Sequence, residues 1–437
     1  MISEKKYSIM NKIIFTYLTA SETLFKFAYS QTVVVLFLVL TVSQLCAAQS
    51  SKSANLPSEN ELPTLQRKVK QGLIRVQNNL VYGENNSSVP IGRAALVFDD
   101  IYAYVSTPNG LYRTPKKITA NSSFELIGFQ NKSIINLYVH NNVLYVLKYS
   151  EETLGSRATD HSFLKSEDRG ATFIPMDGAL EDCYAGYCSF LTPTEAIFKD
   201  NLIFLNAGGG ANLQVSNNNG ASWIPLLGSL QRMICSAQPF ELINTRVLVG
   251  GECPLDIAYL RGGTLRPDFL AWASPEQRPT NVIAPNLQNR NVHFIKNKPN
   301  STDVFAGVEG GLLKSNDTGK SFRFVIKYGF TNNFGSYPYI TNILFLTKNP
   351  NVIVIGGFDK GPLHRLFLAY SKDNGESWLD VSNKTQLLVG EPSKTTKIDW
   401  TQFISEDSEG RVLVGIARPE TKTLTIIQLR VDVAAFR

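Results

Sequence analysis

The sequence predicts an all-β protein: a seven-bladed β-propeller, with six blades as the alternative. One eight-residue pattern occurs four times, beginning at Ser166, Ser216, Ser315 and Ser371, so successive copies lie 50, 99 and 56 residues apart. Short runs rich in Val, Ile, Tyr and Phe precede each copy, and Gly, Asn and Pro lie between them, as is typical of strands and turns. A period of about 50 residues fits one four-stranded blade. The longest step spans two periods, with one copy lost.

Weaker copies complete the series. Seven units are predicted at roughly 94–128, 134–178, 189–228, 234–275, 290–326, 340–381 and 400–433. The strand-like segment 72–82 precedes the first unit, and we expect it to pair as the outer strand of the last blade. That pairing closes the ring and removes exposed sheet edges. Six blades remain the alternative if one weak unit is a long connection.

The four copies share the pattern Ser-x-(Asp/Asn)-x-Gly-x-(Ser/Thr)-(Phe/Trp). An Asp or Asn side chain accepts backbone N–H bonds within a turn, and Gly adopts a positive φ without steric cost. Ser or Thr adds a hydroxyl bond, and the aromatic ring packs into the sheet. Each copy is therefore predicted to be a structural hairpin turn with a hydrophobic peg.

The pattern resembles the Asp box of the bacterial neuraminidase repeat family, which occurs in sialidases, sortilin-type receptors and secreted propellers. The resemblance implies that the boxes lie on the outer rim of the blades, away from the binding face. We therefore expect structural roles for the Asx residues Asp168, Asn218, Asp317 and Asp373 and for the closing aromatics Phe173, Trp223, Phe322 and Trp378.

The N-terminus has the features of a secretory signal peptide over residues 1–48, because a Lys-containing segment precedes an apolar region of ten residues at 33–42 and small residues end at Ala48. A retained anchor is the alternative, but the run is short for a bilayer span of about 20 residues. Residues 49–70 are polar and predicted to be a flexible lead-in, and residues 71–437 one propeller. We expect a secreted protein without a stable membrane anchor.

Four of the five cysteines follow Ala48. An even number in a secreted chain favours disulfides, and we expect Cys183 to pair with Cys188 and Cys235 with Cys253, since each bond would close a local loop. The His and Cys spacings match no zinc pattern, so we expect no metal.

The charge pattern and the remaining motifs indicate neither nucleic acid nor a cofactor. The formal net charge is a mild +6, and Lys and Arg do not cluster among aromatics as a nucleic-acid surface requires. Phosphate loops and the motifs of nucleophilic or metal hydrolases are missing.

Because sialidases also contain this box, we tested the sequence for the other motifs of a sialidase. The resemblance would then require an early Arg-Ile-Pro motif and three arginines for the sugar carboxylate, the bidentate chemistry that such a ligand needs. The chain lacks Arg-Ile-Pro, so we assign no catalytic residue. Another glycoside hydrolase would need two carboxylates across a cleft; the face-loop candidates are Asp160, Glu252, Asp256, Glu309 and Asp359.

Long connections at 148–162, 274–292, 326–342 and 382–400 favour a binding surface. The third is dense in aromatics, which suit sugar stacking or protein contacts unless they fill the grooves between blades. These proposed ligand-binding residues are Tyr328, Phe330, Phe334, Tyr337 and Tyr339. The sequence thus predicts a secreted, non-catalytic scaffold that binds a glycan or protein partner, and a secreted glycoside hydrolase is the alternative.

Overall fold

The structure is a computed structural model. It describes residues 73–81, 95–132, 134–148, 161–176, 183–184, 187–188, 193–207, 212–226, 236–253, 257–287, 290–327, 338–359, 365–390 and 397–431.

These residues form seven four-stranded antiparallel sheets, each built mainly from one unit of the repeat. β1 (Leu73–Val81) comes first. Blade 1 holds β2 (Leu96–Phe98), β3 (Tyr102–Thr107), β4 (Gly110–Pro115) and β5 (Glu125–Gly128). Blade 2 holds β6 (Ile134–His140), β7 (Val143–Lys148), β8 (Phe163–Ser166) and β9 (Ile174–Pro175). A two-stranded hairpin, β10 (Cys183–Tyr184) and β11 (Tyr187–Cys188), follows.

The next two blades carry the middle of the chain. Blade 3 holds β12 (Pro193–Lys199), β13 (Leu202–Ala207), β14 (Asn212–Ser216) and β15 (Ile224–Pro225). Blade 4 holds β16 (Ser236–Ile243), β17 (Arg246–Cys253), β18 (Ile257–Thr264) and β19 (Thr280–Asn281).

The last three blades complete the ring. Blade 5 holds β20 (Val292–Asn297), β21 (Val304–Val308), β22 (Gly311–Ser315) and β23 (Arg323–Lys327). Blade 6 holds β24 (Tyr339–Phe345), β25 (Ile353–Asp359), β26 (Arg365–Ser371) and β27 (Leu379–Asp380). Blade 7 holds β28 (Trp400–Glu406), β29 (Val412–Arg418) and β30 (Thr423–Leu429).

The N-terminal strand closes the ring. β1 pairs antiparallel with β30, with Leu73 opposite Leu429 and Val81 opposite Thr423, so it is the fourth strand of blade 7. The first strand of each blade contacts the first strand of the next, and β28 contacts β2. First strands therefore surround the axis. The fold is a seven-bladed β-propeller, as the sequence predicts.

The core is divided among the joints between blades. Seven clusters of buried apolar side chains are present among the described residues, and each lies chiefly between two consecutive blades. The joint between blades 2 and 3, for example, buries Phe163 and Leu205 completely. Seven joints account for seven blades, which decides against the six-bladed alternative.

Two elements differ from the sequence-based expectation. The fourth strand of blade 4, β19, lies beyond the predicted end of its unit at residue 275, because an irregular connection separates it from β18. A short helix, α1 (Ser382–Val389), lies in the connection between blades 6 and 7 where a loop was predicted. Its sequence has weak helical propensity, and tertiary contacts hold it instead: Gln386 Nε2 donates to Oδ2 of Asp399 over 2.9 Å, and Arg418 Nη1 donates to the Val389 carbonyl over 2.7 Å.

No helix among the described residues is both long and apolar enough to cross a bilayer.

Candidate functional site

The first strands of the blades, which surround the axis, share an irregularity in their pairing with the second strands. Six of the seven first strands, all except the three-residue β2, shift register against their second strand near their beginning. Such β-bulges leave backbone groups without a ladder partner and re-aim the side chains that follow. The side chains directly after the shift include Asn136, Glu195, Phe294, Asn342 and Phe403, and all five line a central pocket.

Polar side chains of one blade bond to the backbone of the next blade near these bulges. The hydroxyl of Tyr138 accepts the N–H of Ala196 over 2.9 Å. Oε2 of Glu195 accepts the N–H of Phe240 over 3.2 Å. Asn342 Nδ2 donates to the Thr401 carbonyl over 2.9 Å. Buried backbone groups are costly when unsatisfied, so these side chains stabilise the ring as well as shaping the pocket.

Lys296 joins two carboxylates of neighbouring blades. Its Nζ lies 2.6 Å from Oε1 of Glu195 in blade 3 and 3.7 Å from Oε2 of Glu241 in blade 4. The Glu195 side chain is only 3% exposed, whereas that of Lys296 is 37% exposed, so the ammonium forms the accessible part of the cluster. A buried carboxylate needs such a partner to remain ionised.

Glu241 is a carboxylic acid of this cluster whose pKa is shifted. Burial raises its pKa above the ordinary value and Glu195 adds to the rise, while Lys296 opposes it. Its carboxylate also accepts the N–H groups of Leu242 at 3.1 Å and Asn297 at 3.3 Å. The cluster therefore combines one cation with two carboxylates fixed by backbone donors.

The central pocket has a volume of about 200 Å³. Blades 2, 3 and 5 supply a polar wall that contains Asn136, Tyr138, Glu195 and Lys296. Blades 7 and 1 supply an apolar wall that contains Phe403, Ile404, Ala95 and Leu96. Blade 5 also supplies Phe294, and blade 6 supplies Thr341, Asn342 and Ile343, so the lining is mixed there. Polar side chains predominate on blades 2 and 3 and apolar ones on blades 7 and 1.

The predicted ligand-binding aromatics fall mostly outside the described residues, as Tyr328, Phe330, Phe334 and Tyr337 do. Tyr339 is described: it is 8% exposed in β24, and its ring centroid lies 5.2 Å from that of His293 and 4.8 Å from that of Phe358. Its ring therefore packs within the core and offers little surface to a ligand.

The two face-loop carboxylates whose side chains the structure describes, Glu309 and Asp359, form no paired site with each other. Asp160 and Asp256 lie outside the described residues, and of Glu252 the backbone lies in β17. Glu309 has Oε1 4.0 Å from Nε2 of His293, and Asp359 is 7% exposed at the end of β25. Among the described residues, no group of three or more His, Cys, Asp or Glu side chains is arranged to hold a metal ion.

Each of the four box turns joins the third and fourth strands of a blade and contains hydrogen bonds between the same positions of the pattern. In the third turn, Ser315 Oγ accepts the N–H of Gly319 over 2.9 Å and donates to Oδ1 of Asp317 over 2.7 Å. Ser321 donates to the same carboxylate from N at 2.9 Å and from Oγ at 2.6 Å. The residue before each box Gly also has positive φ, between 57° and 61°, so two consecutive residues make the turn.

These bonds hold the box carboxylates in their ionised form. Bonds from Thr172 and Ser166 lower the pKa of Asp168 to about 2. Burial pushes the pKa of Asp317 upward, but the bonds from Ser321 and Ser315 outweigh it and leave the pKa at about 2. The pKa of Asp373 is lowered in the same way.

The box also contacts the preceding blade. A Cβ placed on Gly319 would lie 2.3 Å from Cδ1 of Leu248 in blade 4, and one on Gly220 would lie 2.6 Å from Cε of Met176 in blade 2. A cation of the preceding blade donates to a backbone carbonyl of the turn in three cases: Arg113 to Arg169 over 2.8 Å, Arg246 to Gly319 over 3.3 Å and Lys314 to Asn374 over 2.8 Å. The turns thus act as joints between blades.

The box aromatics are part of these joints. Trp223 is 7% exposed and its Nε1 donates to the Met176 carbonyl over 3.0 Å. Phe322 is 7% exposed in the joint between blades 4 and 5, and Phe173 and Trp378 are partly buried. Blade 4, whose box is lost, retains an equivalent: Trp272 donates from Nε1 to the Leu226 carbonyl of blade 3.

The cysteines are described only in part. Cys183 and Cys188 lie directly opposite each other in the β10–β11 pair. Cys253 ends β17, and Cys235 lies outside the described residues. The disulfides stay a prediction.

No protein-family model and no curated protein matches the chain. Among solved structures it is similar to the WD40 propeller domain of Doa1, at TM-score 0.51 and 10% identity over 83% of this chain and 99% of that one. It is also similar to the extracellular domain of the putative one component system BT4673 from B. thetaiotaomicron, at TM-score 0.50 and 13% identity over 80% and 40% of the two chains. YCF48 bound to D1 peptide matches at TM-score 0.48 and 12% identity over 82% and 100%. These likenesses show the propeller fold alone.

Sequence reasoning did not identify the pocket residues, although a signal exists. Asn136, Glu195 and Lys296 are polar residues within the largely apolar first strands of three different blades. A polar residue repeated near the same place in a buried strand indicates a shared polar surface, and here that surface is the axis.

Proposed function

We propose that this protein is a secreted propeller of the Asp-box repeat type that binds a glycan or protein partner without catalysis, and that the partner enters the central pocket. The observation that carries the proposal is that Lys296 joins Glu195 and Glu241, and that Lys296 and Glu195 line the pocket. A propeller axis is a common place for a ligand because every blade contributes to it.

The same cluster argues for binding rather than hydrolysis. A glycosidase needs one carboxyl group that delivers a proton and a second that acts as base or nucleophile. Here Glu195 is engaged by an ammonium at 2.6 Å and by a backbone N–H at 3.2 Å. Both groups would have to leave before Glu195 reached a substrate.

The Asp-box assignment and secretion are parts of the proposal with separate support. The four turns share one hydrogen-bond pattern, as the resemblance to the repeat family implies. Secretion is supported by the signal-like sequence of residues 1–48. N-terminal sequencing of protein collected from culture medium tests it, and a mature chain that begins near residue 49 is the expected result.

The aromatic loop 326–342 is proposed as a second contact surface for the partner. Tyr337 is the residue to test, because Tyr339 is buried and its loss would damage the core. Replacing Tyr337 with Ala is expected to weaken binding of an identified partner without changing the melting temperature.

A glycoside hydrolase is the second candidate, and one observation favours it. Burial raises the pKa of Glu241, as happens for a general acid, while Glu195 lies beside Lys296. A glycan array combined with fluorogenic glycosides, including a sialoside, separates the two functions. Binding without turnover is expected; turnover that Glu241→Gln abolishes would favour the enzyme.

A further inference from the structure

The pocket is too small for an oligosaccharide or a folded segment of a partner. A volume of about 200 Å³ lies below the roughly 300–1,000 Å³ of pockets that enclose drug-sized ligands. It therefore accommodates one small ring or one side chain. The remainder of a larger ligand would extend beyond the pocket.

The arrangement of the two walls narrows the class of ligand further. The partly exposed side chains of Asn136 and Lys296 offer donors and an amide acceptor on one side, whereas those of Ala95 and Ile404 offer only apolar surface on the other. A ligand that satisfies both walls carries hydroxyl groups at its rim and C–H groups on a face. A pyranose ring has this distribution, and an aliphatic or purely aromatic group does not.

The charges exclude acidic ligands. Lys296 is held between Glu195 and Glu241, so its positive charge is already balanced by two carboxylates. An added carboxylate would lie beside the Glu195 carboxylate, and it would need a bidentate arginine pair that the described pocket wall does not contain. A neutral ligand meets no such repulsion.

We propose that the central pocket binds one neutral, hydroxyl-rich sugar ring, with its apolar face against Ala95 and Ile404 and its hydroxyls toward Asn136 and Lys296. The inference deepens the proposed function and rests on it. It assigns the end of a neutral glycan, rather than an acidic sugar or a peptide side chain, as the group that enters the axis.

Titration of the full chain with methyl glycosides of glucose, galactose and mannose and with methyl glucuronide, followed by saturation-transfer NMR, tests the proposal. At least one neutral glycoside is expected to saturate in the millimolar range and to bind at least tenfold more tightly than the glucuronide. Failure of all three neutral glycosides to bind, or equal binding of the acidic one, overturns it.

Two variants locate the binding. Ala95→Leu fills the apolar side of the pocket and leaves the charged cluster intact, and it is expected to weaken binding at least tenfold. The double change Glu195→Gln with Lys296→Met removes one charge of each sign and is also expected to weaken binding at least tenfold. Lys117→Met, which breaks the exposed pair with Glu409 at 2.9 Å, is the matched control and should bind as the wild type does.

The experiments distinguish a failure of the pocket assignment from a failure of the proposed function. If the glycan array yields a ligand whose affinity Ala95→Leu leaves unchanged, the propeller is a binding protein but the pocket assignment is wrong. If a neutral glycoside binds and is hydrolysed, the pocket assignment stands and the non-catalytic function fails.

Discussion

Asn218 donates a hydrogen bond from Nδ2 to Oγ of Ser222 over 2.7 Å, which reverses the direction of the equivalent bond in the other three box turns. In those turns the hydroxyl of Thr172, Ser321 or Ser377 donates to an Asp oxygen. A hydroxyl can rotate to donate or accept, so the turn tolerates either residue. Only the Asp turns, however, carry a charge that responds to pH.

Replacing Asp317 with Asn is therefore expected to keep the turn but to reduce the acid sensitivity of the protein. The folded pKa of about 2 lies below the ordinary value of 3.8. The stability that the carboxylate contributes is complete above pH about 4 and is lost as pH falls through the folded value of about 2. The free energy of unfolding should thus depend less steeply on pH between 4 and 2 in the variant.

Asn218→Asp is the reciprocal change. It should make the free energy of unfolding depend more steeply on pH between 4 and 2. Denaturant titrations at several pH values measure both variants. If the free energy of unfolding depends equally steeply on pH in the wild type, Asp317→Asn and Asn218→Asp, the role assigned to the box carboxylate is contradicted.

The close contact between Gly319 and Leu248 predicts a large cost for Gly319→Ala. The left-handed backbone costs about 1–2 kcal/mol for a residue with Cβ, and forcing a methyl group against Leu248 adds about 1–3 kcal/mol. Gly410→Ala is the matched control, because its φ of 80° is close to the 78° of Gly319 while its Cβ would meet no atom nearer than 3.5 Å. Gly319→Ala should lower the free energy of unfolding more than Gly410→Ala; equal losses would show that the blade contact contributes nothing.

Truncating the tryptophans at the joints is expected to destabilise the propeller without altering ligand affinity. Trp223→Ala removes a nearly buried ring and its bond to the Met176 carbonyl, and changes of this kind cost about 3–5 kcal/mol. Trp378→Ala should cost less, because that ring is only partly buried and its Nε1 bonds to Gly375 of its own turn. Thermal unfolding measures both variants. A folded variant with weakened binding would instead place the boxes in the ligand site.

The pairing of β1 with β30 predicts that the ring depends on its N-terminal strand. A chain that begins after Val81 lacks the fourth strand of blade 7 and exposes the edge of β30. It is expected to lose cooperative unfolding or to aggregate. A chain that begins at Lys68 keeps β1 and is the control. If both truncated chains unfold at the wild-type temperature, closure by β1 is unimportant.

The sequence predicts the propeller because turns and strand periodicity are local properties. Ser166, Asp168 and Gly170 interact within five residues, so their pattern can be read directly. The lost box of blade 4 shows the limit of this reasoning. Trp272 still packs against blade 3, but the turn before it lacks, at the equivalent positions, the Ser and Asp or Asn side chains that bond to the backbone in the other four turns. In addition, β19 lies where a connection was predicted.

The pocket could not be predicted in the same way, because its residues are brought together only when the ring closes. Glu195 and Lys296 are 101 positions apart, and bulges that depend on strand register turn their strands toward the axis. The α1 helix escaped prediction for a related reason. Contacts of Gln386 and Arg418, rather than local propensity, hold it in place.

The central claim, that the propeller binds a glycan at its axis without cleaving it, is tested most directly by NMR on one sample. The full chain is mixed with a neutral methyl glycoside, saturation transfer is recorded, and the spectrum of the sugar is followed for a day. The account predicts transfer that Ala95→Leu abolishes and no release of free sugar. Absence of transfer, or sugar release that Glu241→Gln removes, would contradict it.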